Sequence, residues 1–271
     1  MVEESIEPHN MKPAVSWGAA GRNYEKFSEH FGDAILHCIG RLAPRPGERI
    51  LDLATGTGWG ARQIARYGAK VHGIDFAREL VESARLLAEE AETEIEFSTA
   101  DAESLPFEDA SFDVVMSTFG VMFVRRPEAA ARELARVCKP GGRLGLTTWP
   151  PDGTIAALIK EVMQRYRPPL PDPPPPSEFA WGNTDRVKEL LASAFELRFE
   201  TGCSVLREPT GEEIWRMWSD SHGVTISMLK ALPSDRQERF RDDFIAYHER
   251  FRNDVGIAMP RDYLVTIGVR K

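Results

Sequence analysis

Residues 50–65, I-L-D-L-A-T-G-T-G-W-G-A-R-Q-I-A, constrain this chain more than any other stretch. The apolar run 50–54 reads as a buried parallel strand, because it is continuous rather than alternating. It leads into a turn of small residues with Gly56, Gly58 and Gly60, and a helical pattern follows at once. Glycine has no Cβ, so backbone at such a turn can approach a ligand closely. The start of the next helix offers free N–H groups and a partial positive charge. Strand, glycine turn and helix in that order make a nucleotide-type binding site. Which nucleotide it holds depends on the rest of the chain.

Before and after this stretch, apolar spacing alternates between strand and helix. Residues 24–42 carry Tyr24, Phe27, Phe31, Ile35, Ile39 and Leu42 at helical intervals, after a loose tail that ends near Pro13. Short strands are predicted at 70–75, 95–99, 112–117 and 143–148. Helices are predicted at 78–91 and 128–137, the latter opened by Pro127. The K-P-G-G sequence at 139–142 reads as a tight turn. Beyond Trp149, helices are expected at 153–166, 184–194, 211–222 and 227–251. Strands are expected at 195–206 and 263–270. The segment 167–176, with its prolines at 173–176, reads as an extended surface spacer.

This order predicts an α/β fold: a Rossmann-like, mostly parallel seven-stranded sheet with helices on both faces and a C-terminal helical cap. One domain is expected over 1–271. Within it, 1–43 form a tail and a helix covering the ligand, 44–150 the binding core, and 151–271 the cap helices with the last two strands.

Composition narrows the function. The chain has 271 residues, 42% hydrophobic and 28% charged, as in an ordinary globular protein. A net charge of -8, with basic residues only in short runs such as Arg125-Arg126, argues against nucleic acid as substrate and against anionic membranes. Cys38, Cys138 and Cys203 form no C-x-x-C pair, so no metal site and no disulfide framework are expected. They read as buried, reduced thiols of a cytoplasmic protein. The first ten residues lack the apolar core of a signal peptide, and the apolar run 112–124 is too short to span a bilayer. Monomer and homodimer both remain open.

The glycine turn alone leaves two nucleotides open. Gly56-x-Gly58-x-x-Ala61, with Asp75 about twenty residues on, fits the dinucleotide fingerprint, so a nicotinamide-dependent oxidoreductase competes. No Tyr-x-x-x-Lys pair accompanies it. Asp52 just ahead of the turn would repel a diphosphate, yet it suits a ligand with an amino group. Asp101 follows the third strand in A-D-A-E-S-L-P-F.

The ordered set D-L-A-T-G-T-G, G-I-D-F, D-A-E-S-L-P-F, F-D-V-V-M-S and K-P-G-G resembles the class I S-adenosylmethionine-dependent methyltransferases, in particular the small-molecule group that includes ubiquinone and menaquinone biosynthesis enzymes. The resemblance covers residues 43–149. It implies S-adenosyl-L-methionine as cofactor and a small-molecule methyl acceptor. It also implies that backbone at Ala54, Gly56 and Gly58 holds the methionine end, with Asp52 orienting the turn. Asp75 would take the ribose hydroxyls, Phe76 would lie along the adenine, and Asp101 and Ala102 would meet its edge, Asp101 by accepting from the adenine amino group. Ser117 and the two residues after it would face the methionine part, and Trp17 and Tyr24 would close over the cofactor. A non-catalytic module that binds the same cofactor is the third reading.

The acceptor side is less defined. Met122 and Phe123 follow the fourth strand at the sheet's carboxyl edge, where ligands bind. Trp149, Tyr166, Trp181, Trp215 and Trp218 are aromatic candidates for pocket lining or for core. Of the six histidines, His30 and His222 are the ones expected to reach such a pocket. No catalytic base is assigned.

Overall fold

The computed structural model describes residues 6–169 and 174–271. Eleven α-helices are found among them: α1 (Met11–Gly18), α2 (Tyr24–Glu29), α3 (Gly32–Leu42), α4 (Trp59–Ala65), α5 (Arg78–Glu90), α6 (Pro127–Val137), α7 (Thr154–Glu161), α8 (Thr184–Leu191), α9 (Gly211–Ser221), α10 (Gly223–Ala231) and α11 (Ser234–Glu249). The strands are β1 (Arg49–Leu53), β2 (Lys70–Asp75), β3 (Glu96–Thr99), β4 (Phe112–Thr118), β5 (Cys138–Thr148), β6 (Phe195–Glu208), β7 (Arg252–Asn253) and β8 (Gly256–Arg270).

They form one sheet in the order β3-β2-β1-β4-β5-β8-β6. Strands β1 to β5 pair in parallel, while β8 runs antiparallel between β5 and β6. Both faces are covered. A Cβ at Gly145 would lie 2.7 Å from Leu42 of α3, while its neighbours Leu144 and Leu146, on the opposite face, are fully buried too. The sheet has eight strands rather than seven, because the two-residue β7 folds back on the start of β8.

Several elements differ from the sequence reading, each for a local reason. Residues 24–42 are two helices, not one. They break at His30–Phe31, so that α2 covers the ligand end while α3 lies along the sheet. The tail contains α1, because Pro13 is its third residue, where a helix has no partner for an N–H. The stretch 227–251 is broken at Leu232–Pro233, and α11 starts after the proline. Helix α7 stops at Glu161, followed by a 3-10 turn over Met163–Arg165. K-P-G-G does not end a segment but bulges within β5: the pairing jumps from Phe112↔Cys138 to Val114↔Arg143 around Gly141, at φ 73°. Cys38 and Cys138 are buried as expected, but Cys203 is exposed on β6. Pro173 of the proline run lies outside the described residues, and Pro174 to Pro176 take no regular structure.

Between β6 and β8, helices α9 to α11 form the cap. Its interior is aromatic: Trp215 packs against Phe240 and Phe244, and Trp218 against Phe27 of α2. Among the described residues no helix is long and apolar enough to cross a membrane.

Candidate functional site

A cavity opens at the carboxyl ends of β1, β2 and β4, where open α/β sheets place their ligands. It is lined by Ile74, Asp75, Phe76, Leu80, Ala100, Asp101, Ala102 and Asn10, and by Trp17, Tyr24, Ala54, Gly56, Thr118, Phe119, Gly120, Phe123 and Val124.

The glycine turn is held by the residues it serves. Gly56 adopts φ 58°, and its N–H donates to Asp75 Oδ2 at 2.9 Å. Asp75 Oδ1 accepts from Ala77 N–H at 2.9 Å. Asp75 is almost fully buried, and that burial pushes its carboxyl up to about 6 against the opposing backbone bonds. Asp52 lies behind the turn rather than on the cavity wall. It accepts from Thr55 Oγ1 at 2.6 Å, and burial, with the Asp75 charge adding, pushes it up to about 7. Gly58 does not line the cavity either. It sits at φ 77°, where a Cβ would lie 2.8 Å from the Phe97 ring. Its glycine serves packing, while Gly56 serves the ligand side.

Strain is concentrated at the same place. Ala54 and Phe119 both take φ 57°, a conformation costing a residue with a Cβ about 1–2 kcal/mol. The two turns that carry them meet at Gly120, where a Cβ would collide with the Ala54 side chain. Ser117 is fully buried below this contact and accepts from Val121 N–H at 3.0 Å, so it shapes the turn without reaching the cavity.

Tyr24 is positioned by its neighbour. Glu25 accepts from Thr57 Oγ1 at 2.6 Å and pairs with Arg62, which ties α2 to the glycine turn and α4. The Tyr24 ring then covers Gly56, and burial, with Asp75 nearby, raises its hydroxyl well above the usual range. Trp17 packs on Phe123 at 4.6 Å and on His222 at 5.3 Å. His222 is thus one layer behind the wall. Its Nδ1 is 2.8 Å from Thr225 Oγ1, and burial among Trp17, Phe27 and Trp218 lowers it to about 3.

Most acceptor candidates lie in packing. Trp149 stacks behind Phe119 at 4.0 Å, and Met122 is buried beneath the turn. Tyr166 stacks on Phe240 and donates to Asp243, and Trp181 is fully buried, its carbonyl accepting from Thr148. His30 lies 3.9 Å from Glu208, away from the cavity lining. Of that group only Phe123 reaches the wall.

The sequence reading missed an N-terminal arm. His9 Nε2 lies 2.8 Å from Glu103 Oε2, and Arg126 bridges Glu103 at 2.7 Å and Glu7 at 2.5 Å. Burial would raise Glu103, but Arg126, His9 and Asn10 outweigh it and hold the carboxyl at about 2. Asp101 Oδ2 accepts from Glu7 N–H at 3.1 Å and from Asn10 Nδ2 at 2.9 Å, and its Oδ1 from Glu103 N–H at 2.9 Å. The arm therefore crosses the cavity mouth and ends in α1, wedged between α5 and α10. A Cβ on Gly18 would strike Glu79, and one on Gly223 the Trp17 carbonyl. No motif marks these residues, because each acts through a partner far along the chain.

Residues 51–146 match the model of a methyltransferase domain family. An uncharacterized protein of Mycobacterium tuberculosis is 41% identical over 147 residues, 54% of this chain and 53% of that one. The chain thus spans about half the length of the curated relatives it matches first. A demethylmenaquinone methyltransferase of Clavibacter sepedonicus is 47% identical over 104 residues, 38% of this chain and 42% of that one. In structure, the chain is similar to Haemonchus contortus phosphoethanolamine N-methyltransferase 2, solved with phosphomonomethylethanolamine and S-adenosylhomocysteine. The TM-score is 0.58 with 20% identity, over 91% of this chain and 56% of that one, a likeness of fold.

Proposed function

We propose that this chain, a class I S-adenosylmethionine-dependent methyltransferase by its core, transfers the methyl group to a nucleophilic atom of a small, apolar acceptor. The residues present fit the cofactor. Gly56 leaves a cradle that a Cβ would fill, 3.0 Å from the Tyr24 ring, and Asp75 offers a buried carboxylate to paired hydroxyls. When bound, S-adenosylmethionine supplies an activated methyl on a positively charged sulfur, so the protein has mainly to align and to exclude water.

The observation that carries the acceptor class is the aromatic part of the lining. Trp17, Tyr24, Phe119, Phe123 and Val124 are apolar or aromatic, and α1 and α2 roof the cavity. Such a chamber suits a flat, uncharged molecule. The titratable residues among the described lining are Asp75, Asp101 and Tyr24. Asp75 accepts from Gly56 and Ala77, Asp101 accepts from Glu7, Asn10 and Glu103, and Tyr24 keeps its proton. The acceptor therefore has to be nucleophilic by its own ionisation or lone pair. Incubating the protein with methyl-labelled S-adenosylmethionine and a panel of phenols, thiophenols and aromatic amines tests this. The expected result is label in small neutral aromatics and none in protein or RNA. Label confined to macromolecules, or cofactor binding without transfer to any of the panel, overturns it.

A further inference from the structure

We infer that Asn10, on the N-terminal arm, is the residue that reads the 6-amino group of the cofactor's purine, with Asp101 acting through it as a positioning residue. This rests on the cofactor reading above.

Asn10 lines the cavity beside Asp101 and Ala102 and is only 2% exposed. Its Nδ2 donates to Asp101 Oδ2 at 2.9 Å and also helps hold the Glu103 carboxyl low. A carboxylate only accepts, so this bond fixes which end of the amide is which: the NH₂ faces the carboxylates and Oδ1 faces away from them. That Oδ1 is buried and has no hydrogen-bond partner. A buried acceptor left unpaired is costly, so the site suits a donor that the chain itself does not supply.

The helix does not supply it. Asn10 stands at the N-cap of α1, a position where asparagine normally accepts from its own helix. Here it makes no such bond and takes helical dihedrals of φ -95° and ψ -10°. The amide oxygen is withheld from the local partner it would ordinarily take. The backbone on either side is pinned: Asn10 N–H donates to Glu7 O at 2.8 Å, and its carbonyl accepts from Ala14 N–H at 2.9 Å. His9 and Glu7 are tied to Glu103 and Arg126.

Asp101 already accepts three bonds from the chain, two of them at Oδ2, through Glu7, Asn10 and Glu103, whereas Asn10 Oδ1 accepts none. The amino group of adenine is the donor that this end of the cavity lacks, and Asn10 Oδ1 is the free acceptor. A 6-oxo purine would present oxygen to oxygen, and the amide cannot flip to suit it without placing Oδ1 against Asp101.

The test compares S-adenosylhomocysteine with its 6-oxo analogue, S-inosylhomocysteine, by calorimetry on the full chain. The wild type should prefer the adenosyl form at least about tenfold. In Asn10→Ala that preference should fall by about tenfold, because only the adenosyl form loses a bond, with the ligand-free thermal midpoint checked alongside. If Asn10→Ala does not fold, Asn10→Ser carries the same prediction, since its hydroxyl lacks the reach of the amide. An unchanged preference in the variant, with both ligands equally weakened or unaffected, means that Asp101 or backbone reads the base and overturns the inference alone. A wild-type chain that binds neither nucleoside overturns the cofactor reading and this inference together.

Discussion

Gly58→Ala separates the two duties of the glycine turn. At φ 77°, alanine pays the left-handed penalty of about 1–2 kcal/mol. The new Cβ would also lie 2.8 Å from the Phe97 ring and 3.3 Å from Ala84 Cβ. Phe97 cannot retreat, because a Cβ at Gly73, on the neighbouring strand, would be only 2.6 Å from the same ring. Overpacking of a closed core adds about 1–3 kcal/mol. The expected loss is therefore about 2–5 kcal/mol, read as a lower urea midpoint and a thermal midpoint roughly 5–15 °C lower. Because Gly58 is absent from the cavity lining, S-adenosylhomocysteine should bind the folded variant within about threefold of wild type. Gly56→Ala should behave the other way. Its Cβ would sit 3.0 Å from Tyr24 on the ligand side, so affinity should fall at least about tenfold for a smaller loss of stability. Wild-type stability in Gly58→Ala, or lost binding in a variant of undiminished stability, would refute this division.

Other perturbations test the electrostatics. Asp52 is pushed up to about 7 and Asp75 to about 6, so the folded ligand-free protein holds protons that the unfolded chain releases near pH 4. Its stability should fall as pH rises from about 4 to about 7, by up to about 1.4 kcal/mol per pH unit for each group. Asp52→Asn should flatten the upper part of that slope in urea titrations, and an unchanged slope would show that Asp52 ionises freely. His222, lowered to about 3 by burial, stays neutral throughout the working range. The pH midpoint of kcat/KM should accordingly track the acceptor's own pKa across a series of phenols, with no limb near 6.5. A limb fixed near 6.5 for every phenol, lost in His222→Gln, would make that histidine the base.

What could be read from the sequence was local. The strand 50–54, the glycine turn and Asp75 are specified by residues within a few positions of one another or at a strand end, and all three lie at the cavity mouth or just behind it. The later part of β8, residues 263–270, and the parallel core were equally plain from their apolar runs, while the start of β8 from Gly256 was not. The arm was not, because Pro13 looks like a helix breaker until its place in the first turn is known, and because Asn10 meets Asp101 across 91 residues. The acceptor wall was hidden for a different reason. Phe119, Phe123 and Trp149 are all aromatic, and only the fold decides that the first two face the cavity while Trp149 stacks behind.

Calorimetric titration of S-adenosylhomocysteine into wild type and Asp75→Ala tests the central claim most directly. Asp75 is the buried carboxylate at the end of β2 that both holds Gly56 and faces the cavity. Saturable micromolar binding by wild type, weakened at least about 100-fold in Asp75→Ala, is the predicted result, since hydrogen bonds to a charged group contribute about 1.5–3 kcal/mol each. Saturable binding of NADH with none of S-adenosylhomocysteine would contradict the account and return the glycine turn to a dinucleotide.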